Sequence, residues 1–326
     1  MPLTSDDTPS SRTPHSPADV LVVGAGPVGL TAACELLRRG TRVRLVDRAE
    51  SASPFPKALL LWPRTLDLLD NLGALDATRK AGIDIRKFRY YSSGEPLAAF
   101  TFPEHLMPVC LPQNETERVL TERLHALGGH IERGVRLLAL DGVDFSGDIN
   151  ATDGVTAILE HSDGTVERYR TPFVIGADGA GSAVRAQIGT GFVGSTYESA
   201  FALVDCRIEG ELPTDEALYY QSPQGALVIV ALPDGVFRFF ASLPPGEKAG
   251  IDCCSGSRTN RAPAASGWST PCGSRCSAST AGTPTTSRGA GSSSRGTRPT
   301  CTARPEARGS TLGCRTHRTW PGSWPR

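Results

Sequence analysis

Residues 24–29, Gly24-Ala25-Gly26-Pro27-Val28-Gly29, decide the fold class of this chain. A short β-branched run, Val20–Val23, precedes them, and residues 30–39 follow with the apolar spacing of a helix. Residues 43–46 are again strand-like, so this part of the chain predicts a β-α-β unit. A Gly-x-Gly-x-x-Gly segment that joins a strand to a helix in such a unit is typical of a dinucleotide-binding turn.

The three glycines of the turn have different predicted tasks. Gly24 permits the sharp bend, Gly26 lets a pyrophosphate approach the backbone, and Gly29 lets the helix pack closely on the strand. The N-terminus of the helix then faces the phosphates. We therefore count the whole turn, including Ala25, Pro27 and Val28, among the candidate cofactor-binding residues.

An acidic residue stands where the second strand ends. Asp47 is placed to accept hydrogen bonds from the hydroxyls of an adenosine ribose, and Arg48 beside it is a further candidate. The alternative is a glycine-rich turn of some other α/β protein, which the register of strand, helix and acid makes a poor explanation. This fingerprint alone does not distinguish NAD from FAD.

A second motif points to a flavin. Residues 174–185 read Val-Ile-Gly-Ala-Asp-Gly-Ala-Gly-Ser-Ala-Val-Arg, which resembles the Asp-Gly motif of class A flavoprotein monooxygenases, the p-hydroxybenzoate hydroxylase-like family. The resemblance implies that Asp178 supports the riboflavin side of FAD. On the residues alone, the simpler interpretation is a strand, a turn and a helix that Asp178 caps.

Other segments are similar to the same family. Residues 61–69 resemble its Pro-Arg-Thr-Leu-Glu helix, and residues 192–197 resemble the entry to its substrate sheet. Residues 111–117 resemble the stretch whose glutamine contacts the flavin, which makes Gln113 a candidate. The resemblance covers about residues 18–250 and is specific as a set.

The family resemblance implies an α/β fold in which a Rossmann-like FAD-binding domain carries an inserted β-rich substrate domain. The predicted divisions are a flexible lead over residues 1–17, the FAD-binding domain with inserted strands over 18–190, a β-rich substrate-binding region over 191–250, and a disordered tail over 251–326.

The resemblance also implies a reaction. NAD(P)H, bound transiently, would reduce FAD, and oxygen would then form a flavin C4a-hydroperoxide that hydroxylates an aromatic ring. The protein's share of this chemistry is to position the ring and exclude water, so we name no catalytic acid or base. Similarity is greatest to bacterial aromatic polyketide hydroxylases of antibiotic and spore-pigment pathways.

Three alternatives remain beside this interpretation. The first is that the chain is a catalytically inactive nucleotide-binding fragment. The second is that it is a hydroxylase of simple phenols, and the third is that it is another class A flavoprotein such as a halogenase. A halogenase would ordinarily contain Trp-x-Trp-x-x-Ile, which does not occur here.

The predicted substrate region consists of alternating strands. Residues 201–208, 217–221, 226–232 and 236–243 predict an antiparallel sheet, and Phe173–Gly176 predicts a buried strand before it. Four side chains on these strands could line a pocket or be ordinary core or surface residues: Tyr219, Tyr220, Gln221 and Phe239.

The amino-acid composition and the apolar runs limit the kinds of partner that we expect for this chain. Lys plus Arg equals Asp plus Glu, at 34 each, which gives no basic bias toward nucleic acid or an anionic membrane. The longest apolar run, residues 226–232, is far shorter than the roughly 20 residues that cross a bilayer. Polar and acidic residues at the N-terminus are unlike a secretory signal, so we expect a cytoplasmic protein. The three cysteines of the first 250 residues show no metal-ligand spacing.

Residues 251–326 have a different composition from the rest of the chain. They contain eleven arginines, no lysine and six of the nine cysteines, while Ile251 and Leu312 are the only aliphatic residues larger than alanine. Such a segment cannot supply a hydrophobic core, and the first 250 residues carry a net charge of −9 against +9 here.

The tail is best explained as an out-of-frame translation. If the reading slipped by one base near Gly250, each residue fixes the last two bases of a codon in the true frame. Residues 292–297 then permit Val-Phe-Leu-Ala-Gly-Asp, and residues 304–309 permit Pro-Ala-Gly-Gly-Gln-Gly. This resembles the Gly-Asp motif of the same flavoprotein family and its flavin-contacting loop.

Overall fold

The computed structural model describes residues 18–53, 58–146, 148, 153–195, 200–208, 210–223, 225–243 and 304–305. Contacts divide the chain into two units, the first formed by Met1–Ser51 with Leu124–Gly191 and the second by Ala52–Arg123 with Phe192–Arg326. Within the described ranges no helix combines the length and the apolar character that a membrane span requires.

The α-helices of the described residues are α1 Pro27–Leu37, α2 Pro63–Asn71, α3 Leu75–Ala81, α4 Gln113–Ala126 and α5 Ala183–Gln187. The strands are β1 Val20–Val23, β2 Val43–Asp47, β3 Leu60–Leu61, β4 Ile83–Asp84, β5 Lys87–Ser92, β6 Glu95–Thr101, β7 Val109–Cys110, β8 Ile131–Arg133, β9 Val135–Asp141, β10 Val155–His161, β11 Val166–Thr171, β12 Phe173–Gly176, β13 Ala200–Cys206, β14 Glu216–Ser222, β15 Gly225–Leu232, β16 Val236–Ser242 and β17 Arg304–Pro305.

The first unit contains a parallel sheet of four strands in the order β12-β1-β2-β8. β1 lies inside this sheet and all four of its residues are buried, as an apolar run between parallel neighbours predicts. A three-stranded antiparallel sheet, β11-β10-β9, belongs to the same unit. Residues of both sheets share one hydrophobic core, in which Leu21 and Val46 lie with Ala157 and Leu159.

A buried arginine joins these two sheets. Arg44 of β2 is only 5% exposed and donates hydrogen bonds of 2.7–2.9 Å to Glu132 and Glu167. Its guanidinium carbon lies 4.4 Å from the ring centroid of Tyr169. Because a buried charge is tolerated only when it is paired, this cluster fixes how β2, β8 and β11 meet.

The second unit is built on a mixed sheet with the order β17-β13-β16-β15-β14-β5-β6. The predicted antiparallel arrangement of β13, β16, β15 and β14 is confirmed. Sequence analysis did not predict β5 and β6, and β5 pairs with β14 in parallel. A small sheet of β3, β7 and β4 belongs to this unit as well.

The predicted α/β architecture and β-α-β unit are confirmed, with small shifts at the ends of elements. The prediction that Phe173–Gly176 is buried is wrong, because Phe173 is 47% exposed and Gly176 is exposed too. The physical reason is position: within the described residues β12 pairs only with β1 and forms an edge of the sheet.

Several predictions fall outside the described residues. They concern the lead over residues 1–17 and the tail over 251–326, apart from Arg304–Pro305. The predicted division at residue 190 stays a prediction. The contact-based units also group Ala52–Arg123 with the second unit, a segment that sequence analysis places in the FAD-binding domain.

Candidate functional site

The glycine-rich turn begins with a residue that has to be glycine. Gly24 has φ +104°, a left-handed conformation that other residues rarely adopt. A Cβ built there would overlap the carbonyl oxygen of Ala177. The Gly24 N–H donates to the Val46 carbonyl at 2.8 Å, so the chain leaves β1 in a sharp bend held against β2.

The other two glycines of the turn, Gly26 and Gly29, differ in how much space surrounds them. A Cβ on Gly29 would overlap the carbonyl oxygen of Gly24, so only glycine lets α1 lie this close to the turn. Around a Cβ built on Gly26, in contrast, no atom lies within 4 Å. Gly26 is the N-cap of α1 and, because it has no side chain, makes no side-chain cap hydrogen bond. Pro27 is the first helical residue, and Val28 is exposed. Open space beside Gly26, at the N-terminus of a helix, suits an anionic group.

Asp47 closes the turn from the end of β2. Its Oδ2 accepts from the Ala25 N–H at 2.6 Å and its Oδ1 accepts from the Ala49 N–H at 2.8 Å. Carboxylate oxygens can accept more than one hydrogen bond, so these bonds leave Asp47 able to accept from a ligand hydroxyl. Arg48 beside it is exposed.

The second predicted motif also lies in the first unit. Asp178 accepts from the Ser182 hydroxyl and from the Ala183 N–H, each at 2.5 Å, and from the Val184 N–H at 3.3 Å. Ser182 itself is the N-cap of α5 and accepts from the Arg185 N–H at 2.9 Å. Asp178 therefore supports the start of α5, but the N-cap is Ser182, so the interpretation of Asp178 as the cap itself is wrong.

Sequence analysis missed the contribution of Ala177. Its N–H donates to the Val23 carbonyl at 2.7 Å, and its own carbonyl oxygen lies where a side chain of Gly24 would be. The available signal was its place in the motif, immediately before Asp178. The structure thus brings the turn, Asp47 and the 177–178 backbone together in one unit.

Gln113 belongs to the second unit and is the first residue of α4. Its Nε2 donates to Glu117 at 2.9 Å, and its backbone N–H donates to the Ala58 carbonyl at 3.0 Å. The Ala58 N–H in turn donates to the Gln113 Oε1 at 3.4 Å. These bonds fix the side-chain amide of Gln113 at the start of the helix.

The four side chains proposed for a pocket do not share one face of the large sheet. Neighbouring residues of a strand point to opposite faces, so Tyr219 and Gln221 lie on one face and Tyr220 on the other. Phe239 is buried in the same cluster as Leu218, which places it on the face of Tyr220. The four residues therefore cannot line a single pocket.

Comparison with known proteins agrees with this geometry. The sequence profile of the family described as FAD binding domain matches residues 17–251. The 6-methylpretetramide 4-monooxygenase of Streptomyces rimosus is 34% identical over 221 residues, which are 66% of this chain and 38% of that protein. The 12-dehydrotetracycline 5-monooxygenase/anhydrotetracycline 6-monooxygenase of S. rimosus subsp. rimosus is 33% identical over 210 residues, 64% of this chain and 40% of that protein.

Solved structures show the same similarity. The crystal structure of aklavinone-11 hydroxylase in a ternary complex with FAD and aklavinone matches with a TM-score of 0.59 and 29% identity, over 73% of this chain and 49% of that one. The chain thus spans about two fifths of the length of the curated relatives described above.

Proposed function

The chain belongs to the FAD binding domain family, and from this membership we propose that it is part of an FAD-dependent monooxygenase that hydroxylates an aromatic polyketide. NAD(P)H and molecular oxygen are the proposed co-substrates, and the cytoplasm is the proposed location. The observation that carries the proposal is the 34% identity over 221 residues to the 6-methylpretetramide 4-monooxygenase of Streptomyces rimosus.

The residues of the first unit fit the adenosine diphosphate part of FAD. In the proposal the turn of Gly24, Ala25, Gly26, Pro27, Val28 and Gly29 shapes the pyrophosphate site. The N–H groups of Gly24 and Ala25 already donate to Val46 and Asp47, and Pro27 has no N–H, so these three residues act through the path of the turn rather than as donors. The open space at Gly26 and the uncapped start of α1 support this assignment. Asp47 accepts from the ribose hydroxyls, and Arg48 provides an exposed cation beside it.

Two further residues are proposed to act on the flavin side. Gln113 would contact the flavin, and Asp178 would act indirectly by fixing the turn that precedes α5. FAD, once bound and reduced by NAD(P)H, would supply the oxygen atom that is added to the aromatic ring. The protein's own contribution is to hold the cofactor, orient the aromatic ring and keep water away.

The proposed function can be tested on the chain whose reading frame has been restored beyond Gly250. That protein is incubated with FAD, NAD(P)H, isotopically labelled oxygen and a hydroxyanthraquinone, and the products are analysed by mass spectrometry. We expect NAD(P)H oxidation that requires FAD and a product carrying one labelled oxygen atom. A loaded flavoprotein that oxidises NAD(P)H without labelling any aromatic product would contradict the proposal.

A further inference from the structure

Arg133, the last residue of β8, keeps its hydrogen-bond donors unused. Its side chain is only 24% exposed, and its ion-pair partner is Asp47, with Nη1 3.9 Å from Oδ1. That distance is too long for a hydrogen bond, and no other residue that the structure describes accepts one from this side chain. Arg44 on the neighbouring strand, in contrast, bonds two glutamates. Because buried donors are normally paired, the unused donors of Arg133 mark a position where a ligand can bind.

The ends of three strands place Arg133 beside the candidate cofactor site. β1, β2 and β8 are parallel neighbours in the sheet, and Asp47 is in register with Arg133. The glycine turn follows β1, Asp47 ends β2, and Arg133 ends β8. These three features therefore lie along one edge of the sheet, the carboxyl edge at which open α/β sheets bind ligands.

The order of these strand ends matches the order of groups in an adenosine diphosphate. The pyrophosphate is assigned to the turn after β1, and the ribose to Asp47. The base and the phosphate leave the ribose from opposite ends, at C1′ and C5′, so the base continues in the direction away from the turn. The next strand end in that direction is that of β8, about 4.8 Å further along the edge, and its side chain is Arg133.

The backbone that follows Arg133 is fixed to the backbone that follows Asp47. The Gly134 N–H donates to the Ala49 carbonyl at 3.2 Å, and the Ala49 N–H donates to the Asp47 Oδ1 at 2.8 Å. Gly134 has φ +69°, which allows the sharp turn from β8 into β9. Arg133 and Asp47 are thus held in one arrangement before a ligand arrives, which lowers the entropic cost of binding.

We propose that Arg133 binds the adenine base of the cofactor and makes the site select a purine nucleotide. Its place at the cofactor site rests on the proposed function. A guanidinium is planar, is weakly hydrated and stacks on aromatic rings, and its N–H groups can donate to ring nitrogens. Adenine presents two fused rings to such a group, whereas a pyrimidine presents one. Asp47 balances the charge of Arg133 without using its donors, since the two side chains are 3.9 Å apart.

A phosphate on the ribose is the other group that an arginine at this place could bind. Such a phosphate would lie beside the carboxylate of Asp47, the side chain assigned to the ribose hydroxyls, and the two negative charges would repel each other. Glu50, which is exposed three residues further on, adds to this repulsion. The charges around Arg133 therefore favour a neutral base over a second anion.

Arg136, three residues further along the chain, provides a matched control. It belongs to the same unit, but its side chain is 57% exposed and donates to Glu160 at 2.6 Å. Removing its charge alters the surface of β9 and leaves the pair of Arg133 and Asp47 in place.

The test is binding of ADP and of uridine diphosphate to the full chain, measured by calorimetry in the absence of FAD. The two nucleotides share the ribose and the pyrophosphate and differ in the base. We expect ADP to bind at least about threefold more tightly than uridine diphosphate. Arg133→Met, which removes the cation from a side chain of similar length, should weaken ADP binding about three- to tenfold and uridine diphosphate binding less, so the preference falls. Arg136→Met should leave both affinities unchanged.

The base preference separates a contact with adenine from a purely structural role. Far-UV circular dichroism establishes that each variant is folded. Equal weakening of both nucleotides by folded Arg133→Met, or no weakening of either, refutes the proposal, as does failure of the unmodified chain to bind ADP. Adenosine 2′,5′-bisphosphate is compared with AMP: tighter binding that depends on Arg133 would assign the arginine to a ribose phosphate and overturn the role at the base.

The proposed function is decided separately, by product formation in the frame-restored chain. ADP binding with a base preference that Arg133→Met does not alter overturns the role of Arg133 alone. The expected effect of Arg133→Met in a chain whose frame-restored form yields no hydroxylated product overturns the monooxygenase proposal alone.

Discussion

Replacing Arg44 with methionine should strongly destabilise the first unit, although methionine has a similar length. The substitution leaves the carboxylates of Glu132 and Glu167 without the cation that both of them contact. Removing one partner of a buried ion cluster costs about 3–5 kcal/mol, because the remaining charges stay desolvated. The loss of the cation–π contact with Tyr169 acts in the same direction.

The pKa of Glu167 gives a second measure of the same effect. The hydrogen bond from Arg44 is the largest cause that lowers this pKa from 4.5 to about 2. A lowered folded-state pKa contributes stability above pH 4.5 that is lost as the pH falls toward 2, and its size is about 3 kcal/mol. In Arg44→Met the part of this acid-sensitive stability that comes from Arg44 should disappear, while the hydrogen bond between His161 and Glu167 still lowers the pKa of Glu167.

Arg42 provides the matched control, since its pair with Asp19 is exposed, with side chains 61% and 41% accessible. Arg42→Met should change the free energy of unfolding very little. The assay is urea unfolding followed by far-UV circular dichroism, with hydrogen exchange of peptides that contain Val43–Asp47 and Val166–Thr171. Equal destabilisation by Arg42→Met and Arg44→Met would refute the reasoning. The triple variant Arg44→Met, Glu132→Gln, Glu167→Gln removes all three charges and should regain stability. If it does not, the reasoning is also refuted.

Three other predictions concern the cofactor site and the tail. Asp47→Ala, in the frame-restored chain, should weaken FAD binding by about 1–3 kcal/mol through the loss of charged hydrogen bonds, and unchanged affinity in a flavin titration would show that Asp47 is misassigned. Gly29→Ala should destabilise the chain by up to about 3 kcal/mol because its Cβ overlaps the Gly24 carbonyl, whereas Gly181→Ala, with no atom within 4 Å of its Cβ, should be neutral in urea unfolding. Resequencing of the coding DNA beyond Gly250 should reveal a one-base slip, and confirmation of the present frame would end that explanation.

Local signals explain why much of the fold was predictable. The β-branched run of β1, the glycine turn and the helical spacing of α1 are neighbours in the sequence, so one short pattern specifies the β-α-β unit. The hairpin of β15 and β16 was equally predictable from the sequence, because a Pro-Asp-Gly turn separates two apolar strands.

The missed elements depend on distant contacts. All seven residues of β6 are exposed, so Glu95–Thr101 has no apolar alternation to detect. β5 finds its parallel partner in β14, more than 120 residues further along the chain. The same holds for the buried charge of Arg44, whose partners Glu132 and Glu167 lie 88 and 123 residues away. No local pattern could identify these pairs.

Within the candidate site, the turn was predictable and the finer roles were not. The positions of Gly24, Gly26 and Gly29 follow from steric rules that a short motif encodes. Whether Asp178 supports the start of a helix or faces a ligand depends on where α5 begins, and the structure places that start at Ala183 with Ser182 as the N-cap.

The measurement that tests the account most directly is the FAD affinity of Gly26→Leu in the frame-restored chain. Gly26 has φ −78° and open space around its Cβ, so leucine should be tolerated by the fold while filling the place assigned to the pyrophosphate. Gly194→Leu, at another open glycine in the second unit, is the control. We predict that titration by flavin fluorescence shows at least about a tenfold loss for Gly26→Leu, with unchanged urea unfolding, and none for Gly194→Leu. Equal FAD affinities in the two variants would contradict the assignment of the cofactor to this turn.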